Sequence, residues 1–153
     1  LALDNADFDS IVTAVENNIE RSRFLFIPEN LDYLEKGGRI GKAGALIGNV
    51  LKITPILTVE TGNTEIYKKV RTKKRAIDTM INKMMEDHEK GTVLEIAIHH
   101  INCEDEAIAL KEKIQDLIDV NIIISSIGPV IGLHVGPGAI GIVYYTKDPV
   151  SLN

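Results

Sequence analysis

The chain has 153 residues, of which 44% are hydrophobic and 25% are charged, as in folded globular domains. A formal net charge of -5 argues against a nucleic-acid-binding surface, because such surfaces need clustered Lys and Arg. No apolar run approaches the ~20 residues that a membrane span needs. The only cysteine, Cys103, excludes a disulfide within the chain, so we expect a cytoplasmic protein.

The hydrophobic pattern predicts helices that alternate with strands. In chain order we expect a helix at 7–20, a strand at 23–27, helices at 31–36 and 40–51, strands at 52–60 and 64–71, a helix at 73–90, a strand at 93–100, a helix at 103–119 that Asn102 caps, and strands at 121–126 and 139–146. Pro55 makes 52–60 an edge strand or two short pieces. Thr61-Gly62-Asn63 predicts a hairpin turn. The fold class is therefore α/β, a mixed β-sheet with packed helices, in one domain at residues 1–153.

Arg39 stands where one helix ends and the next is expected to begin. Gly37 and Gly38 break the first helix, and the free N–H groups of the next helix point at that position. A guanidinium there suits a carboxylate or phosphate, although a surface Arg in a helix–helix turn explains the pattern equally well. The segment does not match a nucleotide-binding P-loop, because Lys36 and Ala43 occupy positions that need Gly and Ser or Thr.

Three glycines in the expected helix 40–51 form a smooth stripe: Gly41, Gly44 and Gly48. Each glycine costs up to about 1 kcal/mol relative to Ala inside a helix, so the stripe needs a reason. A neighbouring helix could pack there, or an alkyl chain could lie along it. Leu46, Ile47 and Leu51 beside the stripe would suit either occupant.

The segment 128–141 shapes its backbone around one polar side chain, His134. A lone His on an apolar segment is more often structural. This one, however, follows a strand of an α/β sheet, where ligands commonly bind. His99 and His100 end another strand, but they lack the Cys or carboxylate neighbours of a metal site, so we expect no metal.

Two segments together resemble the DegV family of bacterial lipid-binding proteins. The first runs from Leu31-Asp32-Tyr33-Leu34 through Lys36-Gly37-Gly38-Arg39-Ile40, with a similar stretch at 51–57. The second runs from Gly128-Pro129 to His134 and on through Gly136-Pro137-Gly138-Ala139. The resemblance covers nearly the whole chain, in the family's order.

The resemblance implies a protein that binds one long-chain fatty acid and presents its carboxylate to a fatty-acid kinase subunit. Arg39 and His134 would hold the carboxylate, with Gly38, Ile40 and Gly136 beside them. Gly44, Leu46, Ile47 and Leu51 would line the acyl chain. The chain would be the C-terminal-type domain, without the N-terminal domain that completes the site, and it would need no cofactor.

Two other functions remain open from the residues. Arg39 could clamp the anion of a carboxylated or phosphorylated substrate while His134 acts as acid and base in a small enzyme. Alternatively, the glycine-rich segments could serve packing alone. No nucleophile, metal set or nucleotide loop is evident in the sequence, so we expect a binding subunit rather than an enzyme.

Overall fold

We describe a computed structural model of the chain, which covers residues 6–47, 53–60 and 62–150. These residues form a six-stranded mixed sheet with packed helices, so the predicted fold class is confirmed. The elements in chain order are α1 (Phe8–Arg21), β1 (Ser22–Ile27), α2 (Asp32–Lys36), a 3₁₀ segment (Gly41–Leu46), β2 (Thr54–Glu60), β3 (Asn63–Val70), α3 (Lys73–Gly91), β4 (Val93–His100), α4 (Glu104–Gln115), β5 (Asn121–Ser126), α5 (Pro129–Val135) and β6 (Ile140–Thr146).

The strands lie in the order β3-β2-β1-β6-β4-β5. Only the β4–β5 pair is parallel among the described strands, and α4 makes its crossover. The hairpin β2–β3 adds an antiparallel ladder at the other edge. Since β4 and β5 end at the same edge of the sheet, the loops after them meet there, and one of these loops leads into α5.

The main core lies between one face of the sheet and the helices α3 and α4. Its largest fully buried members include Leu25, Met80, Ile98 and Tyr144. A smaller cluster on the opposite face joins Phe26 and Leu57 to Leu34 of α2 and Val135 of α5. Alternation along β1 explains the division, because successive side chains of a strand point to opposite faces.

Several predicted elements differ in the structure. The helix expected at 40–51 differs in its described part: Gly41–Leu46 is a 3₁₀ segment of six residues, and Ile47 after it has extended backbone. Residues 48–51 lie outside the described residues. The loop expected at 128–138 contains the short helix α5, which Pro129 begins at a position where no N–H is needed. Asn102 does not cap α4, because it adopts a left-handed backbone conformation and Cys103 precedes the helix.

The strand β2 is not an edge strand, because β1 pairs with it on one side and β3 on the other. Pro55 is tolerated near the start of the strand, where the described pairing with β1 is confined to Phe26 and Leu57. The register also shifts between Ile56 and Leu57, so the ladder is irregular close to the proline.

Helix α1 has the predicted amphipathic pattern, but none of its residues is buried. Its side chains Phe8 and Ile19 are 77% and 70% exposed. The apolar stripe therefore stays largely uncovered by the rest of the described chain, although Ile11 is half-buried. In the part of the chain that the structure describes, every helix is too short or too polar to cross a bilayer.

Candidate functional site

A pocket of about 280 Å³ opens on the sheet face that α3 and α4 leave free. Its wall is largely apolar and includes the stacked rings of Phe24 and Phe26, whose centroids lie 5.0 Å apart. Arg39 and His134 both line it. The two side chains that the sequence singled out, 95 residues apart, therefore share one apolar pocket.

Arg39 is held by its backbone while its side chain stays exposed. Its N–H donates to the Leu34 carbonyl at 2.9 Å, and its carbonyl accepts from Thr64 Oγ1 at 2.7 Å. The guanidinium Nη1 donates to the Gly37 carbonyl at 3.4 Å. The 3₁₀ segment that follows is too short to contribute the helix dipole expected from the sequence, so the positive charge here is that of Arg39 itself.

His134 is half-buried on α5, and its Nδ1 is buried without a hydrogen-bond partner among the described residues. Gly37 lies directly against this nitrogen, since a Cβ there would overlap it. Gly37 thus contacts both site residues, through its carbonyl to Arg39 and through its missing side chain to His134. An unpaired buried nitrogen is costly unless a ligand or water supplies its hydrogen bond.

The two glycine-rich segments pack against one another through α2 and α5. Gly136 sits under the ring of Tyr33, and a side chain at Gly136 would overlap that ring. Gly136 also has φ +75°, a conformation that favours glycine. The absence of a side chain at Gly136 therefore lets α5 approach α2 closely. Gly136 does not itself line the pocket.

The other predicted head-group residues lie beside the pocket rather than in its wall. Gly38, with φ +66°, is exposed at the turn that leads into Arg39. Ile40 packs against the smaller core cluster. Neither is a lining residue of the pocket, so their effect on a ligand would act through the position of Arg39.

The described residues that were expected to line an acyl chain, Gly44, Leu46 and Ile47, do not line this pocket. Leu46 is buried, and with Ile47 it borders a separate depression near Pro55. Gly44 has only ordinary contact with Ile40, and the stripe expected with Gly41 does not form, because Gly41 packs against the backbone of Thr64. Leu51 and Gly48 lie outside the described residues.

Sequence reasoning missed the residues that make most of the pocket wall. Phe24 and Phe26 come from β1, and His99 comes from the end of β4. The alternation of β1 carried a usable signal, because Phe24 and Phe26 fall on the face opposite the buried Leu25 and Ile27. His99 was considered only as a metal ligand. In the described ranges, no group of three or more His, Cys, Asp or Glu side chains could hold a metal.

A buried charge cluster lies on the other face of the sheet, away from the pocket. Asp87 is fully buried and pairs with Lys83 at 2.9 Å and Arg23 at 3.4 Å. Tyr144 donates to Asp87 at 2.7 Å. Burial raises the pKa of Tyr144 far above its ordinary value, and the hydrogen bond to Asp87 adds to the rise. The tyrosine thus stays a neutral donor, and the cluster joins α3 to the sheet.

Cys103 donates to the Ala139 carbonyl at 3.3 Å. Burial raises the pKa of its thiol, and the charge of Glu106 adds to the rise. A thiol of this kind is a poor nucleophile at neutral pH.

Comparison with known proteins identifies the family to which the chain is similar. The family model described as "Uncharacterised protein, DegV family" matches residues 1–147. A DegV domain-containing protein of Clostridium acetobutylicum is 60% identical over 146 residues, which cover 95% of this chain and 51% of that protein. A fatty acid-binding protein of Thermotoga maritima is 35% identical, over 89% of this chain and 48% of its own length.

A solved structure of a DegV family protein also matches this chain. The crystal structure of a fatty acid-binding DegV family protein from Streptococcus agalactiae matches with a TM-score of 0.84 at 33% identity. The match covers 96% of this chain and 52% of that one. The chain therefore spans about half the length of the relatives that it matches.

Proposed function

The chain belongs to the DegV family, and on that premise we propose that it binds a long-chain fatty acid with the carboxylate at Arg39 and His134. The observation that carries the proposal is that both side chains line one largely apolar pocket. The guanidinium supplies a fixed positive charge with two parallel donors. The imidazole of His134 lines the same pocket and supplies a hydrogen-bonding group, while its Nδ1 is buried against Gly37.

The energetics favour a fatty acid over a small polar anion. Each buried CH₂ contributes about 0.8 kcal/mol, so a long chain provides most of the affinity. The carboxylate then needs only enough pairing to offset its desolvation. Phe24 and Phe26 offer an apolar wall for the first part of the chain, whereas the acyl path expected along Gly44, Leu46 and Ile47 lies away from this pocket.

We further propose that the chain acts as the C-terminal-type domain of a two-domain protein. The exposed apolar stripe of α1 offers a surface for a second domain. The relatives' twofold greater length supports the same organisation.

The proposed role is that of a binding subunit that presents the acid to a fatty-acid kinase in the cytoplasm, without a cofactor of its own. Arg39 is exposed, so a carboxylate beside it would lie at the pocket mouth, where a kinase could reach it. Phosphoryl transfer to the carboxylate would then be the kinase's reaction.

Lipid binding tests the proposal directly. The protein as its gene encodes it is purified, its lipids are extracted for mass spectrometry, and oleate is titrated into the stripped protein by calorimetry. We expect one long-chain acid per protein, and a large loss of affinity in Arg39→Ala combined with His134→Ala. A protein that carries no lipid and takes up no added acid would contradict the proposal, and unchanged affinity in the double variant would remove the assigned site.

The kinase role has its own test. The loaded protein is mixed with ATP and a bacterial fatty-acid kinase, and formation of the acyl phosphate is followed. We expect product only when both proteins are present. Product formed by this protein and ATP alone would show that it is itself an enzyme.

A further inference from the structure

The pocket contains a second imidazole, which the proposed function does not use. His99 lies near the end of β4 and lines the pocket with Ile127 and Gly141. Successive side chains of β4 point to opposite faces of the sheet, so His99 faces the pocket while Ile98 is buried in the main core. In the described part of the chain, nothing hydrogen-bonds to the His99 side chain. Its polar atoms therefore depend on water or on a ligand for their partners.

Gly141 keeps the pocket open between His99 and the phenyl rings. It is the cross-strand partner of His99 on one side and of Phe26 on the other. A Cβ at Gly141 would lie 2.8 Å from that of Phe26, so the position admits no side chain without rearrangement. The floor of the pocket is backbone there, and an extended apolar chain can cross it toward His99.

His99 also lies far across the sheet from the strand that anchors Arg39. The Arg39 carbonyl is bound by Thr64 on β3, and the strands β2, β1 and β6 separate β3 from β4. Four strand spacings amount to roughly 19 Å in a flat sheet. This span separates the backbones of Thr64 and His99, and the side chains of Arg39 and His99 both line the pocket between them. With the carboxylate at Arg39, on the β3 side of the pocket, the acyl chain would lie beside His99 on the β4 side.

We propose that His99 selects an acyl chain that carries a hydrogen-bonding oxygen, such as a hydroxyl, several carbons away from the carboxylate. The inference rests on the proposed function, because it requires the carboxylate at Arg39. Plain methylenes over the imidazole would leave its polar atoms unpaired, whereas a hydroxyl both donates and accepts. Sites that hydrogen-bond a substrate group discriminate strongly against analogues that lack it.

The test compares stearic acid with stearic acids hydroxylated at successive carbons, titrated into the protein as its gene encodes it. Chains with a methyl branch at the same carbons serve as controls, because they approximate the hydroxyl's size without its hydrogen bond. We expect affinity to peak at one or two hydroxyl positions, about tenfold above stearic acid, with no such peak for the methyl series. A flat hydroxyl series would overturn the inference.

Two variants separate the role of His99 from a general packing effect. His99→Leu should bind stearic acid at least as tightly as the natural protein and lose the hydroxyl peak, whereas His99→Gln should keep part of it. A hydroxyl peak that persists in His99→Leu would overturn the assignment. If stearic acid itself fails to bind the natural protein, the proposed function fails with the inference, whereas binding without a hydroxyl preference removes the inference alone.

Discussion

Gly37 lies directly against the imidazole of His134, so closely that a methyl group at position 37 would overlap Nδ1. The backbone of Gly37 is right-handed, with φ -78°, and alanine can adopt it without strain. We therefore predict that Gly37→Ala displaces the imidazole and weakens fatty-acid binding about tenfold or more, the effect of losing a hydrogen bond to a charged group. Calorimetric titration with oleate measures the change.

The matched control for this prediction is Gly132→Ala, on the same helix as His134. A Cβ at Gly132 would have only ordinary contact with Ile101, at 3.8 Å. This variant should bind oleate as the natural protein does. Equal losses in both variants would show that α5 responds to any added bulk, which would contradict a specific contact between Gly37 and His134.

Removing the positive charge of Arg39 at the pocket mouth should weaken the binding of the fatty-acid carboxylate. We predict that Arg39→Ala lowers the affinity for oleate about tenfold or more, and lowers it little for the uncharged methyl ester. Lys42→Ala is the control, because Lys42 is exposed, pairs with Glu65 at 2.9 Å and does not line the pocket. An equal loss for acid and ester would mean that Arg39 shapes the pocket rather than binds the carboxylate.

The long-range part of the site is what the sequence could not supply. Local patterns predicted β4 and β5 with the bounds that the structure shows, because each strand is marked by an apolar run of neighbouring residues. They also singled out Arg39 and His134. The contact of Gly37 with His134 depends on how α2 and α5 pack, and no local pattern encodes that packing.

The errors have physical causes of the same kind. Residues 40–51 show helical spacing, yet Gly41 takes a left-handed backbone against Thr64 and the segment continues as a 3₁₀ turn. Propensity was overridden there by a tertiary contact. The sequence offered His99 only as a possible metal ligand, because its place in the pocket wall depends on Gly141, which is 42 residues away in the chain and adjacent in the sheet.

The buried charge cluster makes a prediction about stability. Replacing Asp87 by Ala leaves Arg23 and Lys83 buried without their carboxylate, which typically costs about 3–5 kcal/mol. Urea denaturation followed by circular dichroism measures the loss. Asp78→Ala on the same helix is the control, because Asp78 is half-exposed and its 3.7 Å pair with Lys113 should contribute less than about 1 kcal/mol. A small effect at Asp87 would show that the cluster is not a stabilising unit.

The raised pKa of Cys103 predicts slow alkylation. Burial keeps the thiol protonated at neutral pH, and only the thiolate reacts with iodoacetamide. The rate should be well below that of a free cysteine peptide at pH 7 and should rise as the pH approaches the raised pKa. Mass spectrometry of the labelled protein follows the reaction, and unfolding in urea should restore the peptide's rate. Fast labelling of the folded protein would contradict the burial.

The stability of the first turn of α1 should depend on pH, because Asp7 caps this turn. Hydrogen bonds from the Ser10 side chain and backbone N–H lower the pKa of Asp7 below its usual 3.8. Because the pKa of Asp7 is lower in the folded state, the cap stabilises the helix fully at pH values above the pKa of the unfolded state. This stabilisation is lost as the pH falls through the pKa of the folded state. We therefore expect the Ser10 amide resonance to shift toward its unfolded position below pH ~4. Asp7→Asn keeps an acceptor that does not titrate, so its Ser10 resonance should not move with pH, and an unchanged acid transition in that variant would contradict the prediction.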